Sequence, residues 1–169
     1  MFSYSPTRSA AQAAVLYAGI KHGAVLMSDG YEPHNEIART NQLVHLGCWA
    51  RARRYLIEAE EDLPKVQRGG NHSPDRPAVC GEARSEHMTP EQRQQLRQVR
   101  NQPVLDQIEA LLSRHLNTVL PQSGFGKAPQ YLRGQWPKLV RYVGNGAWPI
   151  SNNPCENAIR PFTVGRRNW

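Results

Sequence analysis

The sequence predicts an α/β fold that is interrupted by an all-helical insertion. Residues 1–63 alternate short apolar runs with segments of helical periodicity, which is typical of a layer in which strands and helices alternate. Residues 64–149 carry helical patterns without a strand pattern. Residues 150–169 open on an asparagine turn and return to a short helix. We therefore expect a core, a linker with a helical insertion, and a returning helix.

The first part predicts three strand-helix pairs. Ser9 precedes a helical pattern and is a suitable N-cap, whereas Pro33 suits the first turn of a second helix. The expected elements, in order, are a strand end at 1–5, a helix over 10–23, a buried strand over 24–28, a helix over 33–38, a buried strand over 42–48 and a helix over 49–62.

The second part begins with a segment, 64–87, that lacks periodicity and predicts a linker. Thr89-Pro90 followed by glutamate and glutamine is a strong helix start. We expect that helix to be interrupted at Pro103, and a second helix or pair of helices over 125–143. The apolar residues predicted to form the core of this part are Leu105, Ile108, Leu111, Leu112, Tyr131, Leu132, Trp136, Leu139, Val140 and Tyr142.

The composition favours a polyanionic partner and a reducing compartment. The formal net charge is +7 and the sequence pI is about 9.7, which favours nucleic acid as the partner, although a basic enzyme would show the same charge. The three cysteines are widely spaced and odd in number, which argues against a disulfide framework. With no long apolar run and no basic leader before the first helix, we expect a cytoplasmic protein without a membrane partner.

Two carboxylates stand at positions that suit chemistry. Asp29 follows a predicted buried strand, where α/β folds place functional side chains, but Asp-Gly is also a common turn. Glu156 lies in the first turn of the returning helix, three residues after Asn153. It can form a capping arrangement with Asn153, or it can point into a site and hold a metal ion.

Arginines form two compact groups, each of which could contact phosphates or simply lie on a solvated helix face. For Arg160, an ion pair with Glu156 one turn earlier is a sufficient alternative explanation. The candidate DNA-binding residues are Arg51, Arg53, Arg54, Arg160, Arg166 and Arg167.

Three motifs, taken together, resemble the insertion sequence 66 family of bacterial transposases. They are SDGYEPHN followed closely by GCWARARR, then WPISNNPCENAIRP, then VGRRNW. The helical segments between them are similar to that family as well, and the resemblance covers nearly the whole chain except about residues 68–81. It implies a ribonuclease H-like catalytic core with a helical insertion before the last acidic helix.

The resemblance also implies a function. Members of the family cleave DNA strands and transfer them through a DDE site, in which two aspartates and a glutamate hold two Mg²⁺ ions. Asp29 matches the second aspartate and Glu156 matches the glutamate. The implied partners are the DNA ends of the insertion sequence and the target DNA, with a homo-oligomer assembled on them.

The chain departs from the family pattern at two places. No acidic residue precedes Asp29, so we expect a truncated copy that lacks the first aspartate and is not active alone. Arg51 stands where family members usually carry a histidine. A non-catalytic DNA-binding remnant of a transposase is therefore the alternative function.

Overall fold

The computed structural model describes residues 9–61, 87–116 and 124–165. The predicted strand end at 1–5 and the linker lie outside these ranges, apart from residue 87. Within them the chain forms six α-helices, two strands and one 3₁₀ turn. In order these are α1 Ala10–Leu16, β1 Val25–Ser28, α2 Pro33–Thr40, β2 Val44–Gly47, α3 Trp49–Glu61, α4 Pro90–Leu116, α5 Gly124–Leu139, the 3₁₀ turn Arg141–Gly144, and α6 Asn153–Gly165.

The two strands pair in parallel. Val25 lies opposite Val44 and Ser28 opposite Gly47, with α2 as the crossover between them. This mixture of helices with a small parallel sheet confirms the predicted α/β class. The predicted buried strand β1 is buried on one face, because Leu26 and Ser28 are buried while Val25 is 42% exposed. Helix α1 begins after Ser9 as predicted, with the Ser9 hydroxyl accepting from Gln12 N–H, but it ends at Leu16 rather than at residue 23.

The helical part shares one hydrophobic core with α3. Side chains of α3, α4, α5 and the 3₁₀ turn form a single buried cluster, so α4 and α5 pack on the α/β part rather than apart from it. Leu111 was predicted to lie in this core but is 50% exposed. The buried members are Trp49, Ala52, Leu105, Leu112, Leu132, Trp136, Leu139, Tyr142, Val143 and Ile150.

Helix α4 continues through Pro103, contrary to the predicted interruption. Proline removes one backbone hydrogen bond from a helix interior and usually kinks or breaks it. Here Arg97 on the N-terminal side and Leu105 on the C-terminal side are both almost completely buried. Packing on both sides of Pro103 holds the two halves in one helix, so tertiary contacts override the local preference.

Arg97 is a buried structural residue, although a charged side chain on a helix is usually solvated. It is 2% exposed. Its guanidinium donates to the carbonyl oxygens of Tyr142 and Asn145, at 3.0 and 2.8 Å, and lies 5.1 Å from the centre of the Tyr142 ring. Asn101, also buried, donates to the Tyr142 hydroxyl. These contacts bind α4 to the segment that leads from α5 into α6.

A serine and a histidine form a buried pair on the sheet. Ser28 Oγ and His45 Nε2 lie 2.7 Å apart, and both side chains are buried. Burial, together with the positive charges of Lys138, His34 and Arg141, lowers the pKa of His45 to about 4. The folded protein therefore holds His45 in its neutral form at neutral pH.

The buried histidine predicts a pH-dependent stability. Between pH 6.5 and pH 4 the unfolded chain takes up a proton at His45 that the folded chain does not take up, so acidification through this window favours unfolding. We expect His45 to account for a loss of up to about 3 kcal/mol in the free energy of unfolding. Urea denaturation at several pH values measures this. The change in the free energy of unfolding with pH should be smaller in His45→Gln than in the parent. It should be the same as in the parent in His22→Gln, which alters an exposed histidine. An equal pH dependence in all three proteins would contradict the assignment of this effect to His45.

Candidate functional site

Helix α5 crosses the carboxyl ends of both strands, and glycines allow it to come close. A Cβ added at Gly47 would lie 3.0 Å from the Leu139 side chain. A Cβ added at Gly30 would lie 3.2 Å from both Gln135 and Tyr131, and Gly30 also has a φ of +104°. The Asp-Gly dipeptide thus forms the turn that its composition predicts, and that turn is held against α5.

Asp29 lies at this end of the sheet, directly after β1, and is exposed. The Tyr131 hydroxyl donates to the Asp29 backbone carbonyl at 2.9 Å. The backbone is therefore fixed by α5 while the carboxylate remains accessible to solvent. The sequence left two interpretations of Asp29, as a turn residue or as a site residue, and this geometry is compatible with both.

The segment that precedes α6 is held near the carboxyl end of β2, and Glu156 follows it in the chain. Trp49 N–H, at the end of β2, donates to the Ile150 carbonyl at 3.1 Å. Asn152 N–H donates to the Cys48 sulfur at 3.4 Å. Helix α6 begins one residue later, and Glu156 lies exposed in its first turn. The Glu156 N–H donates to the Asn152 carbonyl, so it does not form the predicted bond with the Asn153 side chain.

Asp29 and Glu156 carry the type of ligand atom that a hard cation prefers, but two carboxylates do not make a complete set of metal ligands. Carboxylate oxygens are the protein ligands that Mg²⁺ prefers. Among the residues that the structure describes, no three His, Cys, Asp or Glu side chains are grouped closely enough to hold a metal ion. Asp29 and Glu156 are therefore candidates for two ligands of such a site, and a third would have to come from elsewhere.

Basic and aromatic groups surround Asp29. The neighbouring Tyr55 side chain raises the pKa of Arg51, and the negative charge of Asp29 raises it further. Burial raises the pKa of Tyr131 to about 12, again with a contribution from Asp29. Burial lowers the pKa of His34, which the Asp29 charge partly offsets. The Asp29 carboxylate thus acts electrostatically on three neighbouring side chains.

The predicted DNA-binding arginines fall into three groups. Arg53 and Arg54 are exposed on α3, and Arg160 is exposed on α6. Arg51 is partly buried, with its guanidinium carbon 5.2 Å from the centre of the Tyr55 ring. Arg166 and Arg167 lie outside the described residues.

Tyrosines around Asp29 are the feature that the sequence did not reveal. Tyr55 and Tyr131 are stacked, with ring centres 4.2 Å apart and an angle of 26° between the rings. Tyr31 follows Asp29 closely in sequence, is 37% exposed and packs edge-on against His34 at 5.2 Å. Helical periodicity assigns Tyr131 to the core. The one available signal was the spacing of Arg51 and Tyr55, which places both on one side of α3.

Comparison with known proteins identifies relatives along the whole chain. The model of the family described as "Transposase IS66 family" matches residues 1–169, a range that includes residues 68–81. The chain is 26% identical over 178 residues to "Uncharacterized protein y4jD" of Sinorhizobium fredii (strain NBRC 101917 / NGR234), covering 99% of this chain and 34% of that protein. It is 24% identical over 165 residues to "Uncharacterized protein y4hP" of the same strain, covering 88% of this chain and 30% of that protein.

The chain thus spans about a third of the length of the curated relatives it matches. No solved structure matches it. No helix in the described parts of the chain is long and apolar enough to cross a membrane. The resemblance that the three motifs indicated is confirmed by the full-length family match: the chain belongs to the IS66 family of transposases.

Proposed function

We propose that this chain contributes Asp29 and Glu156 to a metal-dependent site at which a transposase cleaves and transfers DNA strands. One observation carries the proposal. The hydrogen bonds from Trp49 and Asn152 join the segment before α6 to the end of β2, and Asp29 directly follows β1, so that segment and Asp29 both lie at the carboxyl end of the parallel pair. This is the position at which open α/β sheets bind their ligands.

We further propose that the α/β part belongs to a ribonuclease H-like core. The parallel pair with a helical crossover, an aspartate after the first described strand and a returning helix with a glutamate support this proposal. Helices α4 and α5 then form the insertion between the sheet and α6. The division at residues 63 and 149 remains a prediction.

The proposed cofactor is Mg²⁺, held in part by Asp29 and Glu156. When bound, divalent cations at such a site stabilise the charge on the attacking and leaving oxygens of a displacement at phosphorus. The chain's own contribution is to position the two carboxylates. Tyr131 fixes the Asp29 backbone, and Cys48 anchors the start of α6 through Asn152.

Nicking of supercoiled plasmid DNA tests the proposal. Any nicking that the chain supports in Mn²⁺ or Mg²⁺ should be lost in EDTA and on Asp29→Asn, whereas no nicking by the parent chain would agree with the expectation that it is not active alone. Asp106→Asn, which alters an exposed carboxylate on α4, is the matched control and should leave nicking unchanged. Nicking that persists in Asp29→Asn would refute the assignment. The same assay decides whether the chain is active alone.

DNA binding without catalysis is the second candidate function, because Arg53 and Arg54 are both exposed on α3 in a chain of net charge +7. Binding through such contacts weakens steeply as the salt concentration rises. Retention of DNA that falls with salt, without nicking at any metal concentration, would favour this function over the first.

A further inference from the structure

We propose that Arg51, Tyr55 and Tyr131, which form an aromatic-basic cluster beside Asp29, together with Tyr31, which lies two residues after Asp29 in the chain, bind an unpaired nucleobase and its phosphate in single-stranded DNA. This inference rests on the proposed function in that it names the form of DNA that occupies the site. It predicts that the strand next to the reacting phosphate is held open rather than in a duplex.

The first support is the geometry of the rings. The stacked pair of Tyr55 and Tyr131 joins α3 to α5, and the Tyr131 hydroxyl fixes the pair to the Asp29 backbone. A ligand on this cluster therefore lies next to the Asp29 carboxylate. Tyrosine rings offer flat apolar faces at low conformational cost, and bases of any sequence stack on them.

The second support is accessibility. Tyr31 is 37% exposed, and Tyr55 and Tyr131 are only partly buried. The position of the Tyr31 ring is supported by two ring contacts. The ring packs edge-on against His34, and the His34 ring in turn packs edge-on against Tyr17 at 5.7 Å. A ring that is both supported and accessible is suited to stacking with a ligand.

The third support is charge. Arg51 lies beside the Tyr55 ring, and Arg53 and Arg54 are exposed on the same helix. Proteins that bind single strands combine stacking aromatic rings with a positively charged path for the phosphates. The arrangement favours a nucleic acid strand over an apolar protein partner, for which adjacent cations would be a cost.

A binding experiment in EDTA tests the inference without any metal or cleavage. Fluorescence anisotropy would compare a labelled thymidine strand of about twelve nucleotides with a duplex of the same length. We expect Tyr31→Ala to weaken single-strand binding roughly tenfold and duplex binding by less than about twofold. Tyr31→Phe keeps the ring and should bind as the parent does. Arg54→Ala should weaken both, because it removes a phosphate contact.

The outcomes separate this inference from the proposed function. Asp29→Asn should not weaken single-strand binding in EDTA, and should tighten it slightly, because it removes a negative charge beside the proposed phosphate position. If Tyr31→Ala weakened both DNA forms equally, or neither, the inference would be wrong whatever the nicking assay gives. If Tyr31→Ala changed the oligomeric state measured by light scattering and not the DNA affinity, the cluster would be a protein interface instead. Circular dichroism checks that each variant is folded.

Discussion

Glu156→Gln is expected to abolish metal-dependent nicking, with a loss of at least about a hundredfold. The substitution keeps the size of the side chain and removes the charge that a hard cation requires. Glu156 is exposed in the first turn of α6, so neither packing nor the fold should change. The measurement is the rate of conversion of supercoiled to open circular plasmid in Mn²⁺.

A matched variant separates a specific role from a general loss of charge. Glu109→Gln alters an exposed glutamate on α4 and should nick at the parent rate. DNA binding in EDTA should be the same for Glu156→Gln, Glu109→Gln and the parent, or slightly tighter for the two variants because each removes a negative charge. Nicking by Glu156→Gln at the parent rate would show that the carboxylate has no part in the reaction.

Arg97→Met is expected to destabilise the fold by about 3 kcal/mol. The guanidinium is buried and donates to two backbone carbonyls of the segment that follows α5. Methionine has a similar length but no donor, so the Tyr142 and Asn145 carbonyls would lose these bonds. In a chain of this size such a loss corresponds to a decrease of roughly 6–12 °C in Tm.

Two further variants on the same helix make this prediction specific. Arg100 is exposed, and Arg100→Met should change stability by less than about 0.5 kcal/mol. Arg97→Lys keeps the charge, but lysine cannot donate to both carbonyls in the same way. Its Tm should therefore lie between those of Arg97→Met and the parent. Equal Tm values for Arg97→Met and Arg100→Met would mean that the buried hydrogen bonds of Arg97 make no net contribution to the stability of the fold.

Most helices and strands could be predicted from the sequence, because the apolar runs and cap residues that specify them lie within or next to each element. The apolar runs before Asp29 and Cys48 form β1 and β2, and the cap residues Ser9 and Thr89 begin helices as expected. Element ends were less predictable. Helix α1 ends at Leu16, and α4 passes through Pro103 because packing on both sides of the proline overrides its preference.

The candidate site was predictable only in part. The family motifs pointed to Asp29 and Glu156, but the position of the segment before α6 depends on hydrogen bonds that join Cys48 and Trp49 to residues about a hundred positions away. The Tyr55–Tyr131 stack likewise joins two helices that are distant in sequence. Periodicity cannot reveal such pairs, since it reports which side of one helix is apolar and not what that side meets.

Arg97 illustrates the same limit for polar residues. A charged side chain on a helix is usually solvated, and nothing in the neighbouring sequence marks this arginine as different from Arg100. Its guanidinium donates to the carbonyls of Tyr142, in the 3₁₀ turn, and of Asn145, just after that turn, both more than forty residues away. Long-range satisfaction of backbone groups is a property of the fold, so it becomes visible only in three dimensions.

The central claim is that Asp29 and Glu156 hold one metal ion together. Electron paramagnetic resonance tests it most directly, by measuring the affinity of Mn²⁺ for the parent chain, the two single variants and the double variant. If Asp29 and Glu156 hold one cation together, Asp29→Asn and Glu156→Gln should each weaken binding by about tenfold or more, and the double variant should be little weaker than either single one. Single variants that bind as the parent does, or effects that simply add in the double variant, would show that the two carboxylates do not share a metal ion.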